Sequence, residues 1–334
     1  DILYYGNITL GSPPQLVSAE IDSGSADLWV TTTKCVNCDS SKTSTSSSNK
    51  RQYDSSVSAT YSDKRDAFHV GYGTGSVCGV LSADGVNVNG LKIDAQDFGG
   101  VYKKTDVFRS TPNGGLLGLA FGTIATSKRP PFFENLLSAR KVRAPYFGIS
   151  LARGRNLGSE LCLGCVNKLK WRGDFQWISV TKKVGMSYWN IPLTGFRGTR
   201  DGPSATLPGS ISAAVDTGTS LIYFPSSVAT SFYSTIPGSR EASDIGPGIW
   251  AFPCDASLSI ALAFGGIMFE MATADFNLGR TKKGSPECVG AVIGIGKDSE
   301  FPSGLAIIGV AFLKNWYSVF DYSHGARIGF ARSV

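Results

Sequence analysis

Along the chain, short β-branched and apolar runs alternate with glycine, proline and other turn-forming residues, which is the pattern of a mostly-β protein. No apolar run reaches the ~18 residues that would cross a bilayer as a helix. One run breaks the pattern. In AEIDSGSADLWV, residues 19–30, the alanine, isoleucine, leucine, tryptophan and valine positions read as buried strand. Asp22 sits among them, followed by Ser23, Gly24 and Ser25. An ionised carboxylate in apolar surroundings is costly unless something pairs with it.

The same break occurs a second time. In SAAVDTGTSLIYF, residues 212–224, Asp216, Thr217, Gly218 and Thr219 mirror Asp22, Ser23, Gly24 and Ser25, again between apolar runs. Each is followed, at nearly the same distance, by an apolar stretch holding a glycine: GLLGLA with Gly118, then LAIIGVA with Gly309. A single Asp-x-Gly reads as a hairpin turn. Two copies with hydroxyl residues at the same offsets and apolar flanks exceed what a turn requires, and the long period points to duplication of one β domain. At roughly 100–200 residues per domain, 334 residues also suggest two.

Composition narrows the class. Hydrophobic residues make up 42% and charged residues 17%, ample for a large core. The net charge of +6 raises polyanionic partners such as nucleic acid, anionic polysaccharide or membrane. The basic clusters are short and scattered, however, and read as dispersed solubilising charge with no nucleic-acid interface. Seven cysteines include two C-x-x-C pairs, at 35/38 and 162/165, too far apart for a zinc ribbon, and His69 and His324 are the only imidazoles. Disulfides in a secreted protein fit better than a metal, with at least one thiol left over. Asn7-Ile8-Thr9 is an N-glycosylation sequon. The chain opens at Asp1 on a strand-like segment with no signal peptide, as a processed mature form would. Residues 39–51, DSSKTSTSSSNKR, read as a Ser/Thr-rich surface loop.

The chain resembles the pepsin-like aspartic proteases nearly end to end, and within them secreted fungal or yeast-type members. YYGNITLGSPPQ resembles the family's first strand pair and turn. DSGSADLWV and DTGTS resemble its two active-site loops, and GYGTGSVCG (71–79) its flap hairpin. GLLGLA and AIIGVA resemble the segments behind each loop, and WYSVFDYSHGARIGFA the last hairpin. The resemblance implies an all-β, bilobal fold with short helices: an N-terminal lobe over 1–170 and a C-terminal lobe over 171–334. It implies a monomeric endopeptidase that cleaves extended polypeptides in acid without metal or cofactor. Its partners would be protein or peptide substrates, pepstatin-type inhibitors and its own propeptide. The location would be extracellular, with a vacuolar compartment as the alternative.

By the same resemblance Asp22 and Asp216 are catalytic. Two carboxylates at close range cannot both ionise easily, so one proton is shared. Gly24 and Gly218 let the backbone orient N–H groups toward them. Ser25 and Thr219 bond the outer carboxylate oxygens, and Ser23 and Thr217 bond across to the opposite loop. Tyr72, Gly73 and Thr74 form the flap, with Trp29 as partner of Tyr72, and Glu20, Ser220 and Ile307 join the substrate side. Side chains two apart on a strand share a face, so Glu20 points the same way as Asp22. It either attracts a basic substrate side chain or hydrogen-bonds its neighbours. Disulfides Cys35–Cys38 and Cys254–Cys288 are implied. Cys78, Cys162 and Cys165 have no counterpart and read as free thiols, or two of them as a further bridge. Gly114 stands where many relatives carry aspartate. The rival readings are a catalytically silent pepsin-fold binding or inhibitor protein, which should have lost one of these residues, and a glycosidase, which presents its paired carboxylates differently.

Overall fold

The structure is a computed structural model; it describes residues 2–36, 38, 51–155, 157–181, 186–200, 202, 204–296 and 304–334. The Ser/Thr-rich segment lies outside the described residues except for Arg51. The chain forms two compact units. One is Leu3–Ala144 with Met186–Tyr188; the other is Pro145–Gly185 and Trp189–Val334 with the first two residues.

The first unit is built on strands β1 (Tyr5–Leu10), β2 (Gln15–Asp22), β3 (Leu28–Thr31), β4 (Ser62–Tyr72), β5 (Gly75–Val88), β6 (Leu91–Lys104) and β7 (Gly115–Gly118). They form one sheet in the order β1-β2-β7-β3-β6-β5-β4, and β1 also pairs with β5, so the sheet curls back on itself. Alternation sets the faces. In β1, Ile8 and Leu10 are buried while Asn7 is exposed, and the hairpin register opposes Asn7 to Ser18. A core of Trp29, Phe68, Val70, Val77, Leu81, Val101, Phe108 and Leu116 fills the region beneath the flap hairpin.

The second unit holds β8 (Tyr146–Ser150), β9 (Glu160–Leu163), β10 (Trp171–Ser179), β11 (Asn190–Thr199), β12 (Ala205–Val215), β13 (Ile222–Pro225), β14 (Arg240–Glu241), β15 (Trp250–Pro253), β16 (Leu258–Phe264), β17 (Ile267–Glu270), β18 (Asn277–Arg280), β19 (Glu287–Gly290), β20 (Val292–Ile295), β21 (Leu305–Ile308), β22 (Trp316–Asp321) and β23 (Arg327–Ser333). They form sheets β17-β16-β11-β12-β21-β13-β20, β10-β23-β22-β8-β9 and β14-β15-β19-β18. The compact units part at Ala144/Pro145, whereas the sequence reading divides the lobes at 170/171. The difference is β8 and β9: β8 pairs with β22 of the C-terminal hairpin, and β9 with β8.

The duplication read from the sequence has its counterpart in strand pairing. In the first unit β2 runs parallel to β7, which runs antiparallel to β3, which runs parallel to β6. In the second, β12 runs parallel to β21, which runs antiparallel to β13, which runs parallel to β20. In each unit the aspartate lies where the first of these strands turns toward the third.

Candidate active site

At the end of β2 the chain leaves the sheet through Asp22-Ser23-Gly24-Ser25. The Gly24 N–H donates to Asp22 Oδ1 at 2.8 Å, and Ser25 Oγ donates to Oδ2. After β12 the same pattern returns: the Gly218 N–H donates to Asp216 Oδ1 at 2.8 Å, and Thr219 Oγ1 to Oδ2 at 2.6 Å. Each carboxylate thus has one backbone and one hydroxyl donor from its own loop, on separate oxygens. This is how an ionised carboxylate is held away from bulk water, by charge-assisted bonds. Asp22 is buried and Asp216 half-buried. Ser23 and Thr217 are both buried.

The segment behind each loop is pinned to it. Leu119 and Ala120 donate N–H bonds to the carbonyls of Asp22 and Ser25, both at 2.8 Å. Val310 and Ala311 donate to those of Thr219 and Ser220 at 2.8 and 2.9 Å. Glycine is required here by close approach. A Cβ on Gly118 would lie 2.5 Å from the Ala26 carbonyl carbon and 2.7 Å from the Asp27 oxygen. One on Gly309 would run into the Thr219 and Leu221 carbonyls.

The hairpin expected to serve as the flap is β4–β5. Tyr72 pairs with Gly75 across its end, and Gly73 and Thr74 are the exposed tip. Tyr72 folds back onto the core, 5.3 Å from the Phe108 ring, and its oxygen accepts from Trp29 Nε1 at 2.8 Å. Burial, and then the negative charge of Asp22, raise the phenol well above its ordinary pKa; hydrogen bonds with Trp29 and Ser25 work the other way. Tyr72 is therefore a neutral phenol throughout the acid range. Ser25 touches both Asp22 and Tyr72, so Asp22, Ser25, Tyr72 and Trp29 form one polar chain.

The remaining sequence candidates fall as follows. Glu20 is buried, opposite Tyr5 in β1 and Leu116 in β7. Ser220 donates to the Ile2 carbonyl at 2.7 Å, and Ile307 is buried in β21 between Ala214 and Tyr223. Cys35–Cys38 and Cys254–Cys288 are bridged; Cys162–Cys165 is also bridged, and Cys78 is a free thiol. Gly114 is packed tightly, a Cβ there lying 3.0 Å from the Arg51 carbonyl. Asp27 was not singled out from the sequence. It is buried and accepts the Thr126 and Ser127 N–H groups at 2.7 and 3.1 Å, bracing the loop that follows Gly118. A second acid between Ala26 and Leu28, in the same apolar run as Asp22, was the available signal.

Known proteins similar in sequence point to one family. A family model described as eukaryotic aspartyl protease matches residues 3–333. The chain is 33% identical to major aspartyl peptidase 1 of Cryptococcus neoformans, over all of this chain and 69% of that protein. It is 33% identical to an aspartic protease of Phaffia rhodozyma, over 99% of this chain and 76% of that one. To cathepsin D of Gallus gallus it is 32% identical, over all of this chain and 81% of the other. With both aspartate loops, the flap and both glycine-bearing segments in order along a match that covers nearly every residue, the chain belongs to the eukaryotic aspartyl protease family.

Proposed function

We propose that the chain is an aspartic endopeptidase that hydrolyses extended polypeptides in acid, with Asp22 and Asp216 sharing one proton. The observation that carries the reading is the repeated clamp: in both loops the N–H two residues on and the hydroxyl three residues on donate to the two carboxylate oxygens. The ionised member of the pair takes a proton from a water. The water oxygen bonds to the scissile carbonyl carbon while the protonated member hydrogen-bonds the carbonyl oxygen and stabilises its developing charge. The C–N bond then breaks as the proton passes to the departing nitrogen, and the pair returns to its singly protonated state. Tyr72 covers the substrate from the flap as a neutral donor, and the backbone of Gly73 and Thr74 bonds the extended peptide.

Three disulfides suit an oxidising compartment, so the protein acts outside the cell or in a vacuole. Among the described residues no helix is long and apolar enough to cross a membrane. Pepstatin-type inhibitors and the protein's own propeptide would occupy the substrate's place, and the enzyme acts as a monomer. Cleavage of denatured haemoglobin across about pH 2 to 7, with and without pepstatin, tests the reading. Acid-limited cleavage is expected, abolished by pepstatin and by either Asp22→Asn or Asp216→Asn with the fold intact. Cleavage that survives either substitution would overturn it.

A further inference from the structure

Away from the aspartate loops, the second unit carries a patch that its own fold leaves uncovered. Leu157 is 83% exposed and Leu169 is 84% exposed. Single exposed leucines are ordinary, but the segments that carry these two are joined. Lys170 Nζ donates to the Gly158 carbonyl at 2.8 Å, which joins the turn bearing Leu169 to the residue after Leu157. The turn is braced. The Leu169 N–H donates to Asn167 Oδ1 at 3.1 Å, the Asn167 N–H to the Tyr317 hydroxyl at 3.0 Å, and the Asn167 amide to Glu160 at 2.8 Å. The Cys162–Cys165 bridge closes the chain just before it. Leu169 is therefore held out in water by a built turn, an arrangement that marks an interaction surface once the apolar side chains are grouped.

The charge around the leucines is mostly of one sign. Arg155 and Lys168 flank them and are exposed. Arg172 is exposed on β10, opposite Arg332 of β23, whose guanidinium is engaged by the Glu270 carbonyl at 3.0 Å and the Trp316 ring at 5.1 Å. The acids nearby are Asp174, exposed, and Glu160, already engaged by Asn167.

We infer that this patch docks on an anionic lipid bilayer. Leu157 and Leu169 enter the headgroup boundary, while the exposed Arg155, Lys168 and Arg172 meet lipid phosphates. Apolar insertion ringed by cations is the physics of interfacial binding. A soluble polyanion would engage the cations and leave both leucines in water, so the leucines favour the bilayer. The inference does not depend on the catalytic reading.

The test is co-sedimentation of the intact protein with phosphatidylcholine vesicles and with vesicles carrying about one-third phosphatidylglycerol, whose phosphodiester stays ionised in acid. Binding to the anionic vesicles is expected to be at least about tenfold tighter. The L157S/L169S variant should lose at least about tenfold of that binding with an unchanged melting temperature. The K168E/R172E variant should lose the preference for anionic lipid. Equal binding to both vesicle types would overturn the inference. So would full retention by L157S/L169S, and retention together with binding of dextran sulfate would assign the patch to a soluble polyanion.

Discussion

Trp29 Nε1 donates a 2.8 Å hydrogen bond to the Tyr72 oxygen, joining a residue of β3 in the core to the last residue of β4 at the flap. The Phe108 ring meets both side chains edge-on, 5.7 Å from Trp29 and 5.3 Å from Tyr72. The bond ties the end of the hairpin to the core, and removing either partner leaves the other's polar group without it. Trp29→Phe and Tyr72→Phe should each lower kcat/KM by about tenfold, and the double variant should lose little more, a coupling of about 1 kcal/mol. Steady-state kinetics on one peptide substrate checks this. Fully additive losses would mean that the bond does not position the flap.

Thr219 supplies the hydroxyl donor to Asp216 Oδ2 at 2.6 Å. Its methyl makes no such bond, so Thr219→Ser should keep most activity while Thr219→Ala loses kcat by roughly tenfold or more, the worth of one charge-assisted bond. Kinetics of the pair, with melting temperatures as control, decides. Equal activity of the two variants would remove the hydroxyl from the mechanism.

Asp275 is buried, accepting from Arg153 Nε and lying against Lys314 Nζ, both at 2.9 Å. Burial pushes its carboxyl up, and the bonds from the two cations outweigh that and hold it below the usual range. Asp321 is held low in the same way, burial being outweighed by Ser323 and Arg327. A depressed folded value stabilises the protein fully above the unfolded carboxyl pKa of about 4, and this is lost as pH falls through the folded value. Asp275→Asn should therefore cost about 2 kcal/mol near neutral pH, and the gap should narrow below about pH 4. Urea midpoints across the acid range measure this; a gap that widens in acid would contradict the sign.

Gly118→Ala forces a Cβ against the Ala26–Asp27 backbone, which has no flexible end to yield. A loss of about 3 kcal/mol is expected, with a larger fall in activity, since the displaced segment carries the Leu119 and Ala120 N–H groups that pin the Asp22 loop. Thermal melts and kcat together check it. Normal stability with normal activity would show that the loop gives way freely.

Glu20 shares the Asp22 face of β2 and is buried. If its carboxylate serves substrate, matched peptides with lysine before the scissile bond should be cleaved faster than those with leucine, and Glu20→Val should reverse the order. No preference in the parent, and no change in the variant, would leave Glu20 a hydrogen-bonding group of the strand.

Much of this protein was legible along the chain because its chemistry is local. The bonds to Asp22 and Asp216 come from residues two and three positions on, so DSGS and DTGT carry their own clamp. The spacing of Gly118 and Gly309 betrayed the duplication, since in each unit only a glycine fits behind the loop.

What only the tertiary structure decided are relations between residues distant in sequence. Asp27 reaches the N–H groups of Thr126 and Ser127, and Asp275 meets Arg153 and Lys314. β8 and β9 join the C-terminal hairpin. The turn that bears Leu169 is joined to Gly158, the residue after Leu157, by a lysine bond. The sequence by itself determines which groups can donate, accept or be buried, because those are properties of single residues and near spacings. Which distant group satisfies each of them is settled only when strands choose their partners and the core closes.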